Sequence, residues 1–123
     1  MWTFHISTGL LTRNGLAVSA AYAGRGEGKN NSTMCAVPKV GPLPTGTYRI
    51  GDAFDSPDHG PCSMRLTPTM PVADMHGRSG FLIHADSILH PGEASEGCIV
   101  PMGGRAVRHF IATSKDCDLT VEA

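Results

Sequence analysis

The chain has 123 residues and a formal net charge of −1, a length that fits a single domain over residues 1–123. Ten scattered Lys and Arg residues against eleven Asp and Glu form no basic patch, so we expect no nucleic acid and no anionic membrane as partner. No apolar stretch reaches the about 20 residues of a membrane span, so we expect no membrane insertion. The N-terminus lacks a secretory signal pattern, so we expect the chain to be made in the cytoplasm without a signal peptide.

The glycine and proline content and the first strands predict a β-rich fold. Fifteen Gly and nine Pro residues indicate many turns but stay below the range of disordered chains. Apolar and polar residues alternate over 2–7, which is the period of a half-buried strand. Asn14-Gly15 is a strong hairpin signal, and the alternation over 16–22 predicts the returning strand. Residues 1–23 are therefore predicted to form a hairpin.

The middle of the chain alternates turn-rich loops with short strands. The glycine loop "GRGEGKNNST" at 24–33 lacks the spacing of a phosphate-binding loop, and no amphipathic helix follows it. The stretch "GPLPTGTYRIGD" predicts a stiff turn and then a strand with Tyr48 and Ile50 facing inward. After a loop at 55–61, "SMRL" predicts a short strand that Pro68 ends.

The last third of the chain predicts a strand, a loop, one helix and a final strand. The apolar run "GFLIHAD" predicts a central strand over 80–86 that ends at the polar His84 and Asp86. Apolar residues at positions 106, 107, 110 and 111 form the stripe of a short amphipathic helix. "CDLTVE" then predicts the last strand, so the predicted fold class is mainly β with one short helix.

One cysteine and one histidine are candidates for catalysis. None of the four cysteines has a CxxC or other metal-ligand spacing. A thiol is a poor nucleophile near neutral pH unless a histidine or backbone N–H groups stabilise its thiolate. His84 ends a strand and Cys98 ends the following loop, so the chain can return to bring them together. Gly97 permits unusual backbone angles, and the N–H groups at 97–98 are candidate oxyanion donors.

Two interpretations without this chemistry remain open from the residues alone. Cys98 can be an inert buried thiol and His84 a core histidine, in a β-rich binding module or a structural part of a phage or secretion apparatus. The alternative is a metal site formed by His76, His84, His90 and Cys98, although these residues lack the spacing of known ligand sets.

The order of several motifs resembles a known enzyme family. "GPLPTGTYRI", then "FLIHAD", then "ASEGCIV" resembles the signature of the YkuD-type L,D-transpeptidases: a proline-glycine-aromatic strand, an Ile-His strand end and a Ser/Thr-x-Gly-Cys loop. With "YAGRGEGKNN" and "SEGCI" the chain is similar to the small branch of that family delivered as type VI secretion effectors. The resemblance covers nearly the whole chain and implies a YkuD-like β-sandwich, for which we expect no cofactor and no metal.

The resemblance also implies roles for the motif residues. The nucleophile falls on Cys98 and the general base on His84. The glycine that helps to hold the oxyanion falls on Gly97, and the loop hydroxyl falls on Ser95. Asp86, two residues beyond the histidine, is a candidate to orient its imidazole or to bind a substrate amine, and is equally consistent with a solvated strand-end carboxylate.

Two positions depart from the family pattern. Glu96 stands where the larger family usually has His, and Val100 stands where it usually has arginine. Loss of that arginine removes an expected contact with a substrate carboxylate. Candidate replacements that would bind substrate are Arg78, Arg105 and His76.

The activity implied is acyl transfer on peptidoglycan stem peptides. Attack on the bond between meso-diaminopimelate and a terminal D-alanine leaves a thioester. Water then trims the tetrapeptide, whereas an amine gives exchange or cross-linking. A type VI effector would act in the periplasm of a neighbouring cell, and its producer would need an immunity protein that covers the Cys98 cleft. A cysteine hydrolase of another peptide or ester bond is the alternative enzyme.

Overall fold

The predicted mainly β fold with one short helix is confirmed. The computed structural model describes residues 1–123. Eight strands and one α-helix follow one another in the order β1 (Trp2–His5), β2 (Leu10–Arg13), β3 (Leu16–Tyr22), β4 (Gly46–Ser56), β5 (Gly60–Pro68), β6 (Leu82–Ile83), β7 (Val100–Pro101), α1 (Gly104–Thr113) and β8 (Asp118–Glu122). No helix combines the length and the apolar character needed to cross a membrane.

All eight strands belong to one sheet that closes on itself. Their order across the sheet is β6-β5-β4-β8-β1-β2-β3-β7. The two ends of this sheet meet where Ile83 of β6 pairs in parallel with Ile99, next to β7. Closure satisfies the backbone groups that two open edges would expose. A sandwich would divide these strands between two sheets. Here all eight strands belong to one closed, barrel-like sheet.

The first 23 residues form three strands where the sequence predicted one hairpin. The Asn-Gly turn is confirmed between β2 and β3, with φ of 50° at Asn14 and 81° at Gly15, as a type I′ hairpin turn requires. An additional turn at residues 6–9 separates β1 from β2. The second turn allows β1 to lie at the centre of the sheet, between β2 and β8.

The core contains the inward residues predicted for β1 and β4, whereas the alternation predicted over 16–22 fails at Leu16, which is 74% exposed. Trp2 and Phe4 of β1 are fully buried, and Tyr48 and Ile50 of β4 also face inward. Helix α1 packs against β5 and β7 and buries Ile111. The core thus fills the closed sheet, and α1 covers one side of it beside the β6–β7 junction.

The glycine-rich loop after β3 is a packing element. It contains two short 3₁₀ turns, at Gly26–Gly28 and Ser32–Met34. A Cβ at Gly41 would lie 1.6 Å from the carbonyl oxygen of Met34, so only glycine allows the two backbone segments to approach so closely. The glycines of this region bring the loop against the segment that carries Cys98.

Candidate active site

The junction that closes the sheet carries His84 and Cys98 to one face. The N–H of His84 donates to the carbonyl oxygen of Ile99 at 3.1 Å, and the N–H of Ile99 donates to that of Leu82 at 3.0 Å. Ile83 and Ile99 pair across this junction and are buried in the core. Neighbouring residues of a strand point to the opposite face. His84 and Cys98 accordingly line the same cavity.

This cavity is an open cleft of about 1310 Å³ that contains charges of both signs. A ligand with both carboxylate and amine groups suits such a surface, because each group finds a side chain of opposite charge. The charged side chains that line it are those of Arg25, Lys39, Arg78, Arg105, Arg108, Asp58, Asp86, Glu93 and Glu96.

The His84 imidazole is buried and held as a neutral base. Its Nδ1 lies 2.7 Å from the carbonyl oxygen of Ala85; because a carbonyl only accepts, Nδ1 carries the proton and Nε2 is the acceptor. Burial lowers the pKa of His84 below the ordinary value of 6.5, the hydrogen bond to Ala85 opposes this only in part, and the charges of His59 and Arg108 lower it further. His84 is therefore neutral at pH 7, with the correct nitrogen available to accept a proton.

The Cys98 thiol is protonated in the resting site. Burial raises the pKa of this thiol above its usual range, and the N–H groups of Leu82 and of Cys98 itself oppose the rise only in part. The Leu82 N–H donates to Sγ at 3.3 Å, a contact that strengthens when the sulfur becomes charged. A nucleophilic role for this sulfur would therefore require a base at the moment of attack, because the resting site holds no thiolate.

Ser95 lies beneath the candidate nucleophile and not on the cavity surface. It is fully buried, and its Oγ donates to the carbonyl oxygen of Cys98 at 2.6 Å. The same Oγ accepts from the N–H groups of Gly24 at 2.9 Å and Gly97 at 3.1 Å. Because the Gly97 N–H already donates to Ser95, the oxyanion role predicted for Gly97 falls to the Cys98 N–H, whose partner in the resting site is the sulfur of its own side chain.

Gly97 and Arg78 together fix the shape of the loop before Cys98. The φ of Gly97 is +141°, and a Cβ there would lie 2.7 Å from Nη2 of Arg78 and 2.9 Å from Cε1 of Phe81. The Arg78 guanidinium binds four backbone carbonyl oxygens at 2.6–3.1 Å, those of Cys35, Gly41, Pro42 and Glu96. Arg78 lines the cleft, but its donors are already used to connect two loops.

Asp86 also lines the cleft, where it organises a loop. Its Oδ1 accepts from the hydroxyl of Tyr22 at 2.7 Å and from the N–H groups of Ser87 and Gly92 at 2.8 and 3.0 Å. Burial alone would raise the pKa of this carboxyl, but these hydrogen bonds hold it below its usual range. The orientation of the imidazole of His84 comes from a backbone carbonyl, not from this carboxylate.

The remaining predicted residues divide between the cleft and the outer surface. Arg105 is exposed and lines the cleft, whereas His76 lies outside the cleft lining and its Nδ1 is 3.5 Å from Oδ2 of Asp74. His90 pairs with Glu93 at 3.7 Å. The four residues of the metal hypothesis are thus spread over three places, and no group of three or more possible metal-binding side chains comes together. All four cysteines are free thiols.

Two residues of the cleft were missed by sequence reasoning. The His59 ring lies on the His84 ring with 4.7 Å between centroids, but it belongs to a loop with no periodic pattern. Arg108 lines the cleft and is only 4% exposed. Arg108 precedes Ile111 by three residues, so the two lie on the same side of α1. This spacing could have predicted from the sequence that Arg108 is buried.

We expect Ser95→Ala to destabilise the nucleophile loop. Two buried N–H groups and one carbonyl lose their partner, at a cost of about 1–3 kcal/mol for each group that stays unpaired. The measurement is the free energy of unfolding in urea. Ser63→Ala is the control, since Ser63 is equally buried but makes one side-chain hydrogen bond, to Gly60. Equal losses in the two variants would contradict the role of Ser95.

We expect Gly97→Ala to cost more stability than Gly80→Ala. Both positions have positive φ, but a Cβ at Gly80 meets no atom within 4 Å. The strain of positive φ, about 1–3 kcal/mol, applies to both, and only Gly97→Ala adds a clash with Arg78 and Phe81. Thermal and urea unfolding of the two variants measure this difference. A similar loss in both variants would mean that the loop relaxes freely.

Comparison with known proteins identifies the family of the chain. The family model of the Tlde1 domain matches residues 17–116, a range that includes His84 and Cys98. No curated protein matches the chain. Because the match extends over more than half of the sequence, the chain belongs to the Tlde1 domain family of L,D-transpeptidase-like type VI secretion effectors, which target peptidoglycan.

Proposed function

We propose that the chain catalyses acyl transfer on peptidoglycan stem peptides, with Cys98 as nucleophile and His84 as general base. One observation supports this above all: a neutral imidazole with a free Nε2 acceptor shares a cleft with a partly accessible thiol. A general base of this kind needs a pKa near or below the working pH and a proton donor in reach. Membership of a peptidoglycan-targeting family supplies the substrate class.

The first half-reaction forms a thioester. Nε2 of His84 accepts the thiol proton while Sγ of Cys98 attacks the carbonyl carbon between meso-diaminopimelate and the terminal D-alanine. The Cys98 N–H donates to the developing oxyanion, a contact worth about 10²–10³ in rate at comparable sites. The carbon–nitrogen bond then breaks, and His84 gives its proton to the departing amine.

The second half-reaction decides the product. Water that loses a proton to His84 and attacks the thioester releases a tripeptide, which is L,D-carboxypeptidase activity. The amine of a D-amino acid or of another stem gives exchange or cross-linking by the same path in reverse. Exposed residues, Asp58 and Arg105 among them, line the cleft, so water can reach a thioester there, and we propose hydrolysis of tetrapeptides as the main activity.

The charges of the cleft suit a stem peptide. Such a peptide carries several carboxylates and, on the D-centre of diaminopimelate, a free amine. Arg105 and Arg108 supply positive charge to the cleft, and Asp86 and Glu93 supply negative charge; the charges of Arg108 and Asp86 both act on His84. Opposite charges at separate positions orient a zwitterionic ligand better than they increase its affinity.

Effector delivery implies action in the periplasm of a target cell and an immunity protein in the producer. Ile88 and Leu89, at the edge of the cleft, are 95% and 84% exposed. Adjacent exposed apolar side chains at the edge of a cleft are typical of protein interaction surfaces. We propose that an immunity protein binds there and covers Cys98.

One observation favours a second candidate, a binding module with an inert thiol. The raised pKa of Cys98 is typical of buried structural cysteines. A cysteine hydrolase of another bond is compatible with the same site. Turnover of defined muropeptides separates these candidates, since an inert thiol releases no D-alanine and a different hydrolase leaves this bond intact.

Cys98→Ala should abolish release of D-alanine from disaccharide tetrapeptides, because no other thiol lines the cleft. His84→Gln should lower kcat by about 10²–10⁴, the usual contribution of a general base. Mass spectrometry of the muropeptides measures both effects. Cys117→Ala is the control, since this thiol lies outside the cleft. Unchanged turnover by Cys98→Ala would refute the mechanism.

The pH profile should follow a neutral dyad. His84 must be unprotonated to accept the thiol proton, so kcat/KM is lost as pH falls through its folded pKa, below 6.5. Because the pKa of Cys98 lies above the ordinary 9.0, kcat/KM should stay level between pH 7 and 9. His59→Ala removes a nearby charge and a covering ring, so it should move the acid limb up toward 6.5. A decline between pH 7 and 9 would indicate a thiolate–imidazolium pair instead.

A further inference from the structure

The two buried arginines of the cleft differ in how their donors are used. Arg78 binds four carbonyl oxygens of the protein. Arg108 is 4% exposed, has no ion pair with a carboxylate, and its Nε is buried without any hydrogen-bond partner. Both side chains line the same cavity. Of these two buried arginines, Arg108 is therefore the one whose guanidinium is free to bind a ligand.

The surroundings of Arg108 favour an anion that arrives with the substrate. The charged or ionisable groups that act on its guanidinium are Cys62 and Arg105, and burial lowers its pKa. No acidic side chain neutralises it, and Arg105 adds a second positive charge at the same side of the cleft. A guanidinium in such a site prefers a carboxylate, which it binds with two parallel hydrogen bonds.

The position of Arg108 relative to His84 indicates which carboxylate is bound. Its charge acts on the imidazole of His84, and both side chains line the cleft. In the proposed reaction, His84 gives its proton to the amine of the leaving residue. The α-carboxylate of that residue is attached to the carbon next to the amine, so it lies on the His84 side of the scissile bond.

We propose that Arg108 binds the α-carboxylate of the terminal residue that leaves the stem peptide. This inference rests on the proposed acyl transfer and adds its specificity: the enzyme acts at a free C-terminus. The incoming amine in an exchange reaction occupies the same position, so acceptors with a carboxylate next to the amine are preferred. Arg108 then takes the place of the family arginine that is missing at position 100.

The test compares the stem tetrapeptide that ends in D-alanine with the same peptide ending in D-alaninamide. Wild-type protein should show about 100-fold lower kcat/KM on the amide, because the guanidinium loses its partner in a buried site. Arg108→Gln should lower kcat/KM on the free acid by a similar factor and leave the amide nearly unchanged. The ratio between the two substrates should therefore fall from about 100 to about 1.

Two further variants separate binding from folding. Arg108→Lys keeps the charge but loses the paired hydrogen bonds, so it should give an intermediate ratio. Arg49→Gln, on the exposed face of β4 and outside the cleft, should keep the wild-type ratio. If thermal unfolding shows that Arg108→Gln does not fold, the ratios of wild type and Arg108→Lys carry the test.

Each outcome decides the proposal. Equal loss on both substrates in Arg108→Gln would mean a structural role and would overturn it. Equal turnover of acid and amide by wild type would overturn it while the acyl-transfer function stands. If Arg108→Gln instead becomes insensitive to amidation of the diaminopimelate side-chain carboxylate, the arginine binds that group, and the assignment to the leaving residue is wrong. Absence of turnover on both peptides would refute the proposed function and this inference together.

Discussion

The parallel pairing between Ile83 and Ile99 is the contact on which the site depends. It joins the two ends of the sheet and sets the register between the strand that carries His84 and the segment that carries Cys98. Because side chains alternate along a strand, a slip of one residue would turn either side chain into the core. The buried isoleucines therefore set the relative position of His84 and Cys98 through packing.

Burial determines the chemistry of the pair. The low exposure of the imidazole and the partial burial of the thiol disfavour both charged forms. A stored ion pair of thiolate and imidazolium would place two charges in this environment, with a large desolvation cost. The neutral pair avoids that cost, and the Leu82 and Cys98 N–H groups that face the sulfur are in place to stabilise the charge that develops in the proposed reaction.

The loop before Cys98 is held in place by buried hydrogen bonds to other segments of the protein. Ser95 connects it to Gly24, and Arg78 connects it to the segment at 35–42. The glycine-rich loop at 24–33 and the segment at 35–42 are both distant in sequence from Cys98, yet both support the short loop that precedes it. Such support keeps catalytic groups in position more precisely than a free loop would. Ser95 of the motif acts here as a structural element, whereas its neighbours Glu96 and Cys98 line the cleft.

The sequence by itself determined the local structure. The alternation in the first strand, the Asn-Gly turn, the inward Tyr48 and Ile50, and the helix over 106–111 all depend on neighbours in the chain and are found as predicted, although Ala106 and Phe110 of the helix stripe are exposed. The ordered motif around His84 and Cys98 also indicated the family. These features are readable because period and turn chemistry act over a few residues.

Only the tertiary structure decided how the sheet closes and which polar groups reach the cleft. The predicted central strand at 80–86 is reduced to two residues at the closing junction, a contact between distant segments that no local pattern encodes. Arg78 and Arg108 are the same residue type, and the sequence does not distinguish their roles. In the structure, Arg78 binds backbone carbonyl oxygens, whereas Nε of Arg108 has no hydrogen-bond partner. The availability of a hydrogen-bonding group depends on every segment that packs around it, and that information exists only in the folded chain.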